Sequence, residues 1–179
     1  MNNNASRISA SALRLNEHLD NFYGVIEMQL TTDQCWHALQ NLFAETVGFK
    51  LFTVMTVDLK NQVARRAYSN NVEAYPVSGT KPITYDRWFD IVHRQKRSFV
   101  ANTIAEIAAV FPDHEKIWSL GCGAVVNLPL IIDGGLAATI NILDAEHHYT
   151  PERVAIIEAK LARPSLVAYN RAKALEPTI

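Results

Sequence analysis

The chain has 179 residues, of which 49% are hydrophobic and 20% charged, and its formal net charge is −1. That length supports one domain with a sizeable core, the charge balance offers no basic excess to a nucleic-acid backbone, and no apolar run reaches the length of a membrane span. The polar start Met1-Asn2-Asn3-Asn4 lacks the apolar core of a secretory signal, and Cys35 and Cys122 are too few for a disulfide framework, so reduced thiols in a cytoplasmic protein are expected.

In chain order, Ile8, Ala12, Leu15, Leu19, Phe22 and Ile26 recur at steps of four and three, which predicts a helix over 8–29 with one apolar stripe. The stripe suits either a helix lying on its own sheet or a dimer seam. A second helix starts at Thr31-Thr32, where either hydroxyl can cap it, carries Trp36, Leu39, Phe43 and Val47, and ends at Gly48. Lys50 to Leu59 and Val63 to Ser69 read as paired strands around a turn at 58–62. Asn70-Asn71, Pro76, Gly79 and Pro82 predict a loop over 70–82. Helices are expected over 84–94, from Asn102 or Thr103 to Val110, and from Pro112 to Leu120, with a short strand at Ser98–Ala101.

Residues 122–144 then form two apolar runs joined at Asp133-Gly134-Gly135, a turn signal that supplies the positive φ of a tight hairpin. Both runs are apolar on nearly every residue, so both faces should be covered. Thr150-Pro151-Glu152-Arg153 starts the last helix, and Pro164 should kink or break it before it resumes towards Ala174.

Several motifs together resemble the GAF domain, a small-molecule-sensing α/β fold. They are Phe52-Thr53-Val54-Met55, Ala67-Tyr68-Ser69, Tyr75-Pro76-Val77-Ser78-Gly79-Thr80-Lys81-Pro82, Trp88, Gly121 to Pro129, Ile140-Asn141-Ile142-Leu143-Asp144, and Tyr149-Thr150-Pro151. The Tyr-Ser, Tyr-Pro and Lys-Pro pieces look like a bacterial subgroup whose members are often little more than one such domain. The resemblance implies an α+β fold with a central antiparallel sheet of about six strands. It places terminal helices on one face, often as a dimer interface, and a ligand-pocket segment on the other. Residues 1–29 are then an N-terminal helix for dimerisation and 30–174 a single domain.

The chain departs from two better-known branches. Asn102 is followed by Thr103, and Phe111-Pro112-Asp113-His114 by Glu115-Lys116, which is not the pattern of cyclic-nucleotide binders. Cys122 has no partner cysteine in the middle of the chain, so the resolving chemistry of the family's sulfoxide reductases is missing.

The resemblance puts Tyr68, Ser69, Tyr75, Lys81 and Trp88 at the pocket wall. The aromatics supply apolar surface with polar tips, and Lys81 a point charge for a carboxylate or phosphate; the alternative is aromatic core and a surface lysine. Asn127 and Asn141 are amides inside apolar strands and need partners from backbone, water or ligand. Cys122, between two glycines, is either a buried inert thiol or a nucleophile activated by a neighbour. Asp144, Glu146, His147 and His148 match no zinc spacing and read as a turn.

The expectation is a non-enzymatic sensor that binds a small organic ligand through Tyr68, Ser69, Tyr75, Lys81, Trp88, Cys122 and Asn127. It needs no metal, and its cofactor is unassigned. It should form a homodimer through its terminal helices and signal to a separate output protein, without nucleic acid or membrane. The rivals are a thiol-dependent reductase using Cys122 and a pure interaction module.

Overall fold

The computed structural model describes residues 3–77 and 80–176, and side chains from residue 12 onward within that range. Ser78 and Gly79 of the Tyr-Pro motif, and the side chain of Ile8, therefore lie outside the described residues. The chain divides into two compact units, Met1–Gly48 with Arg163–Ile179, and Phe49–Ala162.

The first unit is helical. Helix α1 spans Asn3–Ile26, starting earlier than the apolar stripe suggests, and buries Phe22 and Ile26 while Leu15 and Leu19 are half-buried. Helix α2 spans Thr32–Thr46 and buries Cys35, Trp36, Leu39 and Phe43. Thr31 caps it reciprocally: its hydroxyl accepts from Gln34 N–H, and the Gln34 side chain accepts from Thr31 N–H. The last helix runs through Pro164 without a break. Segment α6 (Pro151–Ile156) and the π turn at Ile157–Leu161 fall in the second unit, and α7 (Ala162–Ala174), which follows them in the chain, falls in the first from Arg163 onward. A proline removes one ladder donor and crowds the preceding turn. The wider turn just before Pro164 absorbs that demand, so the helix is re-registered rather than stopped.

The second unit is built on six strands: β1 (Leu51–Asp58), β2 (Val63–Ser69), β3 (Thr80–Pro82), β4 (Phe99–Ala101), β5 (Ala124–Ile132) and β6 (Gly135–Asp144). They form one antiparallel sheet in the order β3-β2-β1-β6-β5-β4. Strand β3 falls inside the expected loop; it is exposed along its length, which is why no apolar pattern announces it. The β5–β6 hairpin turns at Asp133 and Gly134, with φ of 50° and 79°, as the turn signal requires.

Partners across the strands share a face. Ala101, Val125, Leu143 and Leu51 are aligned on one face, and Val126, Ile142 and Phe52 on the other. All of these side chains are buried, so β5 and β6 are covered on both sides. Over the first face lies the segment between the two hairpins. It holds α3 (Arg87–Phe89) passing into a π turn (Asp90–Arg94), α4 (Ile104–Ala108) and α5 (His114–Ser119). The single helix expected over 84–94 is thus a short turn and a π turn. Phe89, Val92, Ile107 and Ile117 from this segment join Leu51, Phe99, Val125 and Leu143 in one core.

Gly123 sits where this core meets the loop after β6. A Cβ there would lie 2.3 Å from Glu146 Cγ and 3.3 Å from Trp118 Cζ3. Glu146 cannot retreat freely, because its carboxylate accepts from Ile104 N–H at 2.8 Å. Gly123→Ala is expected to destabilise the protein by about 1–3 kcal/mol through overpacking. Urea unfolding measures it, and an unchanged midpoint would contradict the contact.

Candidate functional site

The face beneath α3, α4 and α5 is mostly apolar, and one row of largely polar side chains crosses it. Phe99, Asn127, Asn141, Thr53 and Ser69 are successive cross-strand partners on β4, β5, β6, β1 and β2, so all five point to this face. Their polar groups are joined. Trp88 Nε1 donates to Asn127 Oδ1 at 2.9 Å, Asn127 Nδ2 donates to Asn141 Oδ1 at 2.7 Å, and Asn141 Nδ2 donates to Thr53 Oγ1 at 3.2 Å. Asn127, Asn141 and Thr53 are buried. Each amide therefore finds its partners in other side chains, which answers the cost of burying it. Ser69 closes the row by accepting from Asn71 N–H at 3.1 Å.

Trp88 reaches the row from above. Asp86 caps its short helix by accepting from Phe89 N–H at 2.9 Å. The half-buried indole stands edge-on to Phe111, which stands edge-on to Phe99. Tyr75 enters from the loop after β2. Its hydroxyl donates to Asp113 Oδ2 at 2.9 Å, and Arg66 and Lys116 lie over its ring at 4.9 and 4.7 Å. Burial and the Asp113 carboxylate push the Tyr75 phenol well above its ordinary range, so it remains a donor.

Of the seven residues picked out in the sequence, Ser69, Trp88 and Asn127 meet along this row, and Tyr75 and Cys122 belong to the same core. Tyr68 and Lys81 are placed elsewhere. Tyr68 pairs with Val54 on the opposite face, its ring edge-on to Phe52 at 6.1 Å, because neighbouring strand residues alternate sides. Lys81 is exposed on the edge strand β3, opposite Ala64. Thr53, Arg66, Asp113 and Lys116 join the site without having been picked out for it, and Asn141, read as an amide in need of backbone, water or ligand partners, joins it between Asn127 and Thr53. For Thr53 and Asn141 the available signal is a polar residue within an apolar strand; for Arg66 there is none.

Cys122 is fully buried, with its thiol 3.8 Å from the Leu120 carbonyl. Burial raises its pKa to about 11, against a smaller opposing pull from Lys50. A nucleophilic thiol needs the reverse shift. His148 Nε2 lies 3.6 Å from Asp144 Oδ2, and among the described residues no three His, Cys, Asp or Glu side chains converge as a metal set. No helix among the described residues is long and apolar enough to cross a membrane. On the helical unit, an open groove of about 520 Å³ is lined by Ile26, Glu27, Val167, Asn170, Arg171 and Ala174. It shares no residue with the row.

No family model matches this chain, and no curated protein does. Solved structures do. The GAF domain of a Coxiella burnetii phosphoenolpyruvate-protein phosphotransferase superposes with a TM-score of 0.67 at 15% identity, covering 92% of this chain and 99% of that one. The fold is that of a GAF domain. The GAF domain of the Acinetobacter phosphoenolpyruvate-protein phosphotransferase gives a TM-score of 0.66 at 10% identity, over 89% and 96% of the two chains. That of a Bacillus halodurans two-component sensor histidine kinase gives 0.63 at 10%, over 79% and 95%. The six-stranded antiparallel sheet expected from the sequence motifs is thus the sheet of a GAF fold.

Trp88→Phe keeps the ring but removes the donor to buried Asn127 Oδ1. A loss of about 1–3 kcal/mol is expected in urea unfolding, the cost of an orphaned buried acceptor; an unperturbed midpoint would show that the bond is dispensable. In a Cys35→Ala background, Cys122 should react slowly with a thiol reagent at neutral pH, and faster only as pH approaches 11. The folded thiol keeps its proton beyond the ordinary value of 9.0, so stability should be intact below that value and fall as pH rises from there towards 11. Fast labelling at neutral pH would restore the nucleophile.

Proposed function

We propose that this chain is a regulatory sensor domain that binds a small organic ligand on the Trp88–Asn127–Asn141–Thr53 row. The row carries the proposal. It is a hydrogen-bonded polar line across a mostly apolar face, and its outer end is an indole on a three-residue helix followed by a π turn. Such turns are frequent at functional sites. A ligand donor that takes the place of the indole on Asn127 Oδ1 would free Trp88 and shift α3. Ser69 and Tyr75 extend the wall; Cys122 contributes only apolar bulk, and Lys81 would serve at the rim. Tyr68, on the other face, has no part in it. The structural neighbours support this reading: one is from a sensor histidine kinase and another is a methyl-accepting chemotaxis protein.

In the same proposal the domain is a cytoplasmic homodimer. Leu13 on α1 is 60% exposed and Leu15 and Leu19 are half-buried, which leaves apolar helix surface for a second copy. The dimer would pass its state to a separate output protein, and only a ligand that favours one state over the other could drive it. A second reading rests on a specific observation: Tyr75, Phe89, Phe99, Ile107 and Ile117 already fill the face. On that reading the fold is an interaction module packed by its own side chains.

One experiment separates them. In a Trp36→Phe/Trp118→Phe variant, Trp88 is the one tryptophan. Titration with a library of purified metabolites should change its emission, and Asn127→Ala should abolish the response. Native mass spectrometry should show a dimer carrying the same compound. A dimer whose Trp88 emission and melting temperature no compound moves is the interaction module.

A further inference from the structure

We infer that the ligand carries a carboxylate and that the Nε–Nη2 edge of Arg66 holds it; this rests on the sensor reading above. The register of β2 is the first ground. Val54 pairs with Tyr68 but Met55 pairs with Arg66, so Ala67 is an extra residue in the ladder. A bulge of this kind re-aims the side chains beyond it. Counted by simple alternation from Ser69, Arg65 would share the face of the polar row. The bulge puts Arg66 there instead, in line with Met55 and Thr139, and leaves Arg65 exposed.

The second ground is what Arg66 does there. Its Nη1 donates to the Pro76 carbonyl at 3.2 Å, and its guanidinium lies over the Tyr75 ring. Its Nε is enclosed and has no hydrogen-bond partner, and Nη2 makes no hydrogen bond among the described residues. The Nε–H and Nη2–H bonds run parallel along one edge of the guanidinium, and that edge matches the two oxygens of a carboxylate. No carboxylate of the described residues lies within ion-pair distance of Arg66.

The third ground is charge. Lys116 lies over the same ring and donates to the Ala74 carbonyl, so two cations share Tyr75. Asp113, which accepts from the Tyr75 hydroxyl, answers one of them. Asp113 also favours the charge of Arg66, and with one carboxylate for two cations one positive charge remains around the ring. Thr139 stands in the same cross-strand line as Arg66, two strands away, and its buried Oγ1 has no partner among the described residues. Two strand spacings are about 10 Å.

The test is thermal unfolding at fixed ionic strength with millimolar succinate, benzoate or inorganic phosphate. A carboxylate should raise the wild-type melting temperature. Arg66→Gln should weaken that binding about tenfold or more, as expected for loss of a charge-assisted pair. Arg66→Lys, which keeps the charge and stem but not the paired edge, should also lose most of it, and it carries the test if Arg66→Gln does not fold. Lys116→Gln should weaken binding less than either. The inference is overturned if no carboxylate shifts the wild type, if phosphate alone does so, or if both Arg66 variants respond like wild type. The two readings fail separately. A neutral compound that moves Trp88 emission while carboxylates do nothing removes the carboxylate and keeps the sensor. An Arg66-dependent carboxylate shift that leaves Trp88 emission unmoved keeps the carboxylate edge and removes the indole-displacement site.

Discussion

Asn127 and Asn141 face each other across β5 and β6, and the bond between their side chains fixes much of what surrounds them. An amide buried in an apolar sheet face must be partnered, since an orphaned one costs about 1–3 kcal/mol. Here each amide uses the next strand's polar group, so the register of β5, β6 and β1 is held by side chains as well as by the ladder. A slip of one residue would turn both amides to the opposite face, among Phe52, Val126 and Ile142. The same chain of bonds leaves its terminal acceptor, Asn127 Oδ1, to be met from outside the sheet, and Trp88 meets it. Register and the position of α3 are therefore set by one network.

The second constraint is electrostatic. Arg66 is a strand residue brought onto an apolar face, and its burial weakens its hold on the proton. Tyr75 and the Asp113 carboxylate both favour its charge, against the larger effect of burial. Asp113 is engaged by the Tyr75 hydroxyl, so the loop after β2, the sheet and the turn before α5 are tied together around one phenol.

Much of this could be read from the residues, and what could not has a physical reason. The Asp133-Gly134 turn and the Thr31 and Thr150 caps are short-range features, each set by one or two side chains, and each stands where its residue type requires. The polar residues of β1, β5 and β6 were visible as exceptions within apolar runs, but their shared face depends on pairing between strands far apart in sequence. The bulge at Ala67 has no residue type of its own, since any small side chain can occupy it. That one extra residue decides whether Arg65 or Arg66 turns inward. At Pro164 the expected break is absent for the opposite reason: the proline's local effect is met by the π turn before it, and the helix continues to Ala174.

The segment over the row is not held evenly. At its C-terminal side the junction of β4 and α4 is bound to the loop after β6. Asn102 Nδ2 donates to the Tyr149 carbonyl at 2.9 Å, and its Oδ1 accepts from Tyr149 N–H at 3.2 Å. His147 N–H donates to the Asn102 carbonyl at 2.9 Å, and Glu146 accepts from Ile104 N–H. Tyr149 itself is fully buried. At its N-terminal side, the side-chain hydrogen bond that joins α3 to the sheet is the one from Trp88. Local opening follows the weaker set of contacts. Opening over the row is therefore easiest at Trp88, while Phe89 and Val92 of the same segment stay anchored in the core and β4 and α4 stay with the sheet. Of the two groups over the row, the Trp88 indole is held to the sheet by a single hydrogen bond, whereas the Tyr75 ring is held through Asp113, Arg66 and Lys116, so an incoming molecule would displace the indole more readily than the ring.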